Sequence, residues 1–200
     1  MPNTNKVKFG IKNCYYAVAT IADNGSATYA TPVAMPGAVS ISLEPQGENT
    51  PFYADNIVYY MGNGNNGYNG DLELAQIPDS FKKDVLGMKE GGNGILYEDA
   101  NAEVVHFALT FEFSGDKHNR RHVMYNCTAT RPSVASATNT ETKEPQTEST
   151  TITATSIYVA AVDTDVVKAS CNAGDTAYSG WNTTIVQPTV STTVTTTVTT

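Results

Sequence analysis

Between Glu103 and Phe113, large apolar side chains fall at every second position, and this pattern fixes the first element of the fold. Val105, Phe107, Leu109, Phe111 and Phe113 alternate with His106, Ala108, Thr110 and Glu112. A period of two belongs to a strand with one face turned inward, not to a helix. Ser114-Gly115-Asp116-Lys117 then supplies turn residues, and Arg121 to Thr130 resumes the alternation through Val123, Tyr125 and Cys127. The two segments predict an antiparallel hairpin.

The same logic extends upstream. Ala38 to Leu43 places Val39, Ile41 and Leu43 opposite Ser40 and Ser42, and Asn56 to Met61 and Asp71 to Gln76 are further strand candidates. Between the first two lies Glu44 to Asp55, which is polar near its start and carries two prolines, too long for a tight hairpin loop. Loops of about a dozen residues in compact domains tend to be functional. This segment therefore reads as an arm. One short helix is signalled after Pro78: Asp79 and Ser80 offer caps, Phe81, Val85 and Met88 fall near helical spacing, and Gly87 can end it. Downstream, Glu148 to Ile157 and Ile157 to Val167 read as strands, and Ala137 to Glu148 as an exposed loop. Thr183 to Thr200 is a Thr/Val-rich stretch with strand propensity but little diversity for a packed core. The reading is all-β with one short α-helix, a β domain over residues 1–160 and a C-terminal arm or tail over 161–200.

Charge narrows the function. A net charge of −8 and a pI near 4.7 argue against a surface that grips phosphates. Cys14, Cys127 and Cys171 are odd in number and far apart, so free thiols are expected rather than a disulfide or zinc framework. The first residues carry no apolar run of signal-peptide type, and no stretch approaches the length of a membrane span. Synthesis in the cytoplasm and a soluble chain are expected.

Candidate chemical motifs each lack a partner. Gly62-Asn63-Gly64-Asn65-Asn66-Gly67 matches a dinucleotide-binding glycine pattern, but Asp71-Leu72-Glu73-Leu74 continues as a strand where that fold requires a helix. His118 and His122 have the spacing of a helical metal pair, yet they fall on a turn entering a strand. His106 could imitate half of a catalytic dyad with Glu112 or Asp116, but no serine or cysteine stands in a nucleophile-elbow context. Arg120, Arg121 and Arg131 are expected to pair with carboxylates across strands. No catalytic, cofactor-binding or metal-binding residue is expected, and the chain does not read as an enzyme.

A longer pattern is more specific. It comprises Val7-Lys8-Phe9-Gly10-Ile11-Lys12-Asn13, Pro36 to Gly47, Thr50 to Asn56, Asn66 to Leu74 and Ile77 to Phe81, then His106 to Leu109, Phe111 to Phe113, Arg121 to Cys127 and Glu144 to Glu148. In this order, over about residues 6–157, the chain resembles the major tail protein family of siphophages infecting Gram-positive bacteria. The resemblance implies a tail-tube-type β-sandwich or barrel whose copies close into hexameric rings and stack into a hollow tube. It implies partners too: the chain itself, a tape-measure protein inside the tube, and tail terminator and distal tail proteins. Phage DNA would pass through without specific binding, in a virion tail assembled in the host cytoplasm.

Within that frame, Glu44, Pro45, Gln46, Gly47, Glu48, Asn49, Thr50, Pro51, Phe52 and Tyr53 are expected to form an inter-ring arm. The polar faces of the strands, rather than the Phe107 and Phe111 face, are expected to look into the lumen. A host-surface or carbohydrate-binding β-sandwich of a virion is the alternative, suggested by the Thr-rich end, the tyrosines and Trp181.

Overall fold

The expected hairpin stands at the centre of the structure, a computed structural model that describes residues 8–62, 64–138 and 145–190. The first strands are β1 (Ile11–Ile21), β2 (Ala27–Tyr29), β3 (Val33–Ala34), β4 (Ala38–Pro45), β5 (Thr50–Ala54), β6 (Ile57–Gly62) and β7 (Tyr68–Leu74). Helix α1 (Asp79–Asp84) and the short β8 (Lys89–Glu90) and β9 (Leu96–Tyr97) follow. The chain then forms β10 (His106–Phe113), β11 (Arg121–Ala129), β12 (Glu148–Thr155), β13 (Ile157–Val159), β14 (Thr164–Val166) and β15 (Lys168–Cys171). The main sheet runs β2-β1-β10-β11-β12-β7-β4, with β3 on β1 and β15 on β11. Every pairing is antiparallel.

Alternation decides the inner face. Tyr16 on β1, Phe107 and Leu109 on β10, Ile152 and Ala154 on β12, and Leu72 and Leu74 on β7 meet in one core, so the sheet curls until its two halves share an interior. Helix α1 closes that interior with Phe81, whose ring stands edge-on to Tyr16 at 5.1 Å and to Phe107 at 5.4 Å. The short helix thus contributes one fully buried aromatic and little else. Gly70 allows the close approach of β4 to β7, because a Cβ there would run into the Ser42 carbonyl oxygen. Gly70→Ala should destabilise the purified chain by about 1–3 kcal/mol in urea unfolding, as an overpacked core position does.

The second face of β10 corrects the lumen expectation for that strand. Ala108, Thr110 and Glu112 are buried, not open. They lie beneath a second core in which Ala108, Val123 and Tyr125 meet Ala27, Ile157, Val159, Cys171 and Trp181. A strand covered on both faces need not advertise it by composition, since alanine, threonine and a paired carboxylate can all be buried. The cover comes from residues 157–186. Strand β15 pairs with β11, the Tyr125 hydroxyl donates to the Val186 carbonyl at 2.8 Å, and Gln187 donates to the Ala27 carbonyl at 3.0 Å. Packing therefore continues past residue 160 without a break at that position. The Thr/Val stretch beyond residue 190 and the loop residues 139–144 lie outside the described residues.

Candidate functional site

Three surfaces distinguish this fold from a closed, self-sufficient sandwich. The first is the outer face of β4, β7 and β12. Register sets its rows: Ser40, Glu73 and Ser149 lie side by side, then Ser42, Asp71 and Thr151, then Glu44, Asn69 and Thr153. Thr128 of β11 extends the third row. Side chains lock these rows together. Ser40 and Thr147 donate to the two oxygens of Glu73 at 2.8 and 2.6 Å, Thr151 donates to Asp71 at 2.7 Å, and Asn69 donates to Thr153 at 2.7 Å. The hydrogen bonds from Thr147 and Ser40 hold the Glu73 carboxyl below the usual carboxylate range. These rows contain three carboxylates and no cation.

The second surface is the hairpin of β5 and β6. Asp55 and Asn56 both take positive φ, 51° and 62°, which makes the two-residue turn whose twist matches a hairpin. Strand register pairs Phe52 with Tyr60 and Ala54 with Ile57. The hairpin stands off the sheet, and Phe52, Tyr53, Ile57, Tyr59 and Tyr60 are each more than 60 % exposed. An exposed apolar run of this extent marks an interaction surface. At its base Gln46 and Asn66 continue the pairing through an Asn66 N–H to Gln46 carbonyl bond of 2.9 Å. The expected arm, Glu44 to Tyr53, is therefore divided: Glu44 and Pro45 end β4, Gln46 to Asn49 form the link, and Thr50 to Tyr53 lie in β5. The projecting hairpin runs on beyond Asp55 through β6, within the span Asn56 to Met61 that reads as a strand in the sequence. The Asp55-Asn56 pair was the signal that could have located its tip.

The third surface is a cleft of about 890 Å³ between β4 and β7 on one side and β11 and β15 on the other. Phe111, Phe113, Tyr68 and Met124 line it, with Lys8, Arg120, His122 and Lys168 among its polar groups. His122 stacks on Phe111 at 5.3 Å, and burial pushes its imidazole below the usual histidine range.

The remaining motif residues take structural places. His106 Nδ1 lies 2.6 Å from Asn126 Oδ1, while Glu112 accepts from Arg121 Nε at 2.8 Å, so the imagined dyad is not assembled. His118 sits in the exposed turn before β11, whereas its candidate partner His122 lies within β11, so the helical spacing that would bring the two together is absent. Arg121 pairs with Glu112 across strands, as expected, Arg131 pairs with Glu98 outside the strands, and Arg120 donates to the Asn172 amide oxygen. Gly67, in the glycine-rich segment, passes so close to Ala154 that a Cβ would meet its carbonyl oxygen. That glycine serves the approach of β7 to β12. The three cysteines are free and buried, and burial pushes the Cys14 thiol up to about 12, away from nucleophile chemistry.

A sheet with an open anionic face, an edge at β4 that no further strand pairs among the described residues, and an exposed apolar hairpin has the form of a structural subunit that completes its surfaces by assembly. The chain belongs to the phage tail tube protein family, whose profile matches residues 2–193. It is a structural subunit of the tail tube, located in the virion tail, where it assembles with itself and with other tail components. The match takes in the C-terminal strands, beyond the span that carries the sequence resemblance. Among curated proteins, none matches this chain. No helix among the described residues is long and apolar enough to cross a membrane.

Proposed function

We propose that copies of this chain close into hexameric rings, that the rings stack into a hollow tube, and that the outer face of β4, β7 and β12 lines its lumen. The observation that carries this reading is the anionic, cation-free set of rows on that face, beside the projecting hairpin. Basic groups along a DNA conduit would hold the duplex through phosphate contacts. Carboxylates at Asp71 and Glu73 repel it and keep it sliding. DNA then passes without specific binding during ejection.

Ring closure gives the outer edge of β4 a partner, which removes the hazard that an open eight-residue strand edge presents. The hairpin, including Thr50 to Tyr53, bridges one ring to the next, and a tape-measure protein occupies the lumen before DNA does. Tail terminator and distal tail proteins cap the two ends, and synthesis and assembly take place in the host cytoplasm.

The lumen assignment is tested by Asp71→Lys/Glu73→Lys in assembled particles. Both side chains lie on the outer face, so tubes should still form. DNA release, followed by a dye that reports ejected DNA, should slow by about tenfold and recover as salt is raised. Release at the parent rate at low salt would place this face away from the channel.

A further inference from the structure

We propose that the basic aromatic cleft between β4, β7, β11 and β15 is the socket for the β5–β6 hairpin of a second copy of this chain, an assignment that rests on the tube reading and names the receiving side of the contact. The cleft is built for an anionic, apolar guest. Phe111, Phe113, Tyr68 and Met124 give it an apolar floor, and Lys8, Arg120 and Lys168 stand around it. Their nearest side-chain contacts are to neutral groups, while the Asp116 carboxylate at the rim acts electrostatically on Arg120. Lys8 lies over the Phe113 ring at 4.3 Å, Lys168 donates to the Tyr68 hydroxyl at 2.5 Å and lies over that ring at 4.4 Å, and Arg120 holds Asn172 at 3.0 Å. Asp116 at the rim accepts from the backbone amides of His118 and Arg120.

The hairpin has the complementary chemistry. Glu48 stands in its link and Asp55 at its tip, and no Lys, Arg or His occurs from Asn13 through Phe81. Its apolar side chains are exposed in its own protomer, and none of its residues lines the cleft, so it does not fill the socket of the chain it belongs to. Strands of this length reach about 17 Å beyond the sheet at the usual rise per residue, enough to cross to a neighbouring copy. Opposite charges on the two surfaces would set partner and register, while the aromatic contact supplies the buried area.

Reciprocal charge reversal tests the pairing, with oligomer size read by sedimentation and tubes by electron microscopy. Arg120→Glu/Lys168→Glu and Glu48→Lys/Asp55→Lys should each raise the concentration needed for association by about tenfold. A chain carrying all four changes should return to near the parent value. Association of either variant at the parent concentration, or no recovery in the combined chain, overturns the socket. The two readings fail separately: a parent chain that forms oligomers but no tubes removes the tube reading, and the same reversals in those oligomers still decide the socket. A parent chain that stays monomeric at millimolar concentration overturns both.

Discussion

Replacing residues 47–65 with Asn-Gly yields a folded chain that makes no tubes. Gln46 and Asn66 are hydrogen-bonded neighbours at the base of the hairpin, so a two-residue turn of the type that Asn-Gly favours can join them without moving β4 or β7. No described residue of the excised segment belongs to either core. Unfolding free energy should therefore change by no more than about 0.5 kcal/mol, as for surface changes generally, with a shorter loop acting in the stabilising direction. Assembly is a different matter. The hairpin presents Phe52, Tyr53, Ile57, Val58, Tyr59, Tyr60 and Met61 to solvent, and tyrosine and other aromatic side chains are the residues on which interface energy concentrates. Loss of all of them should abolish stacking outright in negative-stain images. Normal tubes from the shortened chain would show that the hairpin is not the bridge.

Arg121→Leu should be the most damaging single substitution in the body of the protein. Arg121 donates to Glu112 at 2.8 Å and to the Tyr178 carbonyl at 2.6 Å, and its guanidinium lies 3.9 Å from the centroid of the Tyr178 ring. Glu112 is almost fully enclosed and receives a second bond from Asn13 at 3.1 Å, delivered by a bulge in β1 where Asn13 takes a φ of 50°. Removing the arginine leaves that carboxylate buried with its main partner gone, which costs about 3–5 kcal/mol. In a chain of this size that is a fall of about 10 °C in Tm. The same change unclamps the segment carrying Tyr178 and Trp181 from β11. Trp181 is the only tryptophan, so its emission should shift to the red before global unfolding in the variant and not in the parent. A loosely attached C-terminal segment would instead give red-shifted emission in both chains.

How far the sequence reveals the fold depends on how each strand is covered. Strands β10 and β11 are legible because large side chains repeat at period two and a glycine-containing turn separates them. Strands β4, β7 and β12 show much of the same alternation, with Ser40, Ser42, Asp71, Glu73 and Thr151 facing outward, although a bulge turns Val39 out of the core and Thr150 is buried. The open face of the candidate site was therefore readable. Strand β1 was not: Cys14, Tyr16, Ala17 and Ala19 are buried on both sides, and the bulge at Asn13 breaks the period. Nor was β15, whose Lys168–Cys171 stretch has no apolar alternation and owes its strand to pairing with β11. Ala108, Thr110 and Glu112 mislead for a related reason, since the layer that buries them comes from residues more than forty positions away in sequence. The hairpin stayed hidden because the polar link at Gln46 to Asn49 dominates the approach to it. Nothing in a linear pattern says that Phe52 and Tyr60 will be paired and yet exposed.

The most direct test of the tail tube account is a cryo-EM reconstruction of tubes grown from the purified chain. It should show stacked hexameric rings around an open channel, with Asp71 and Glu73 on the channel wall and the β5–β6 hairpin reaching a neighbouring ring. A tube with the β4, β7 and β12 face turned to the outside, or with Phe107 and Phe111 lining the channel, would contradict it.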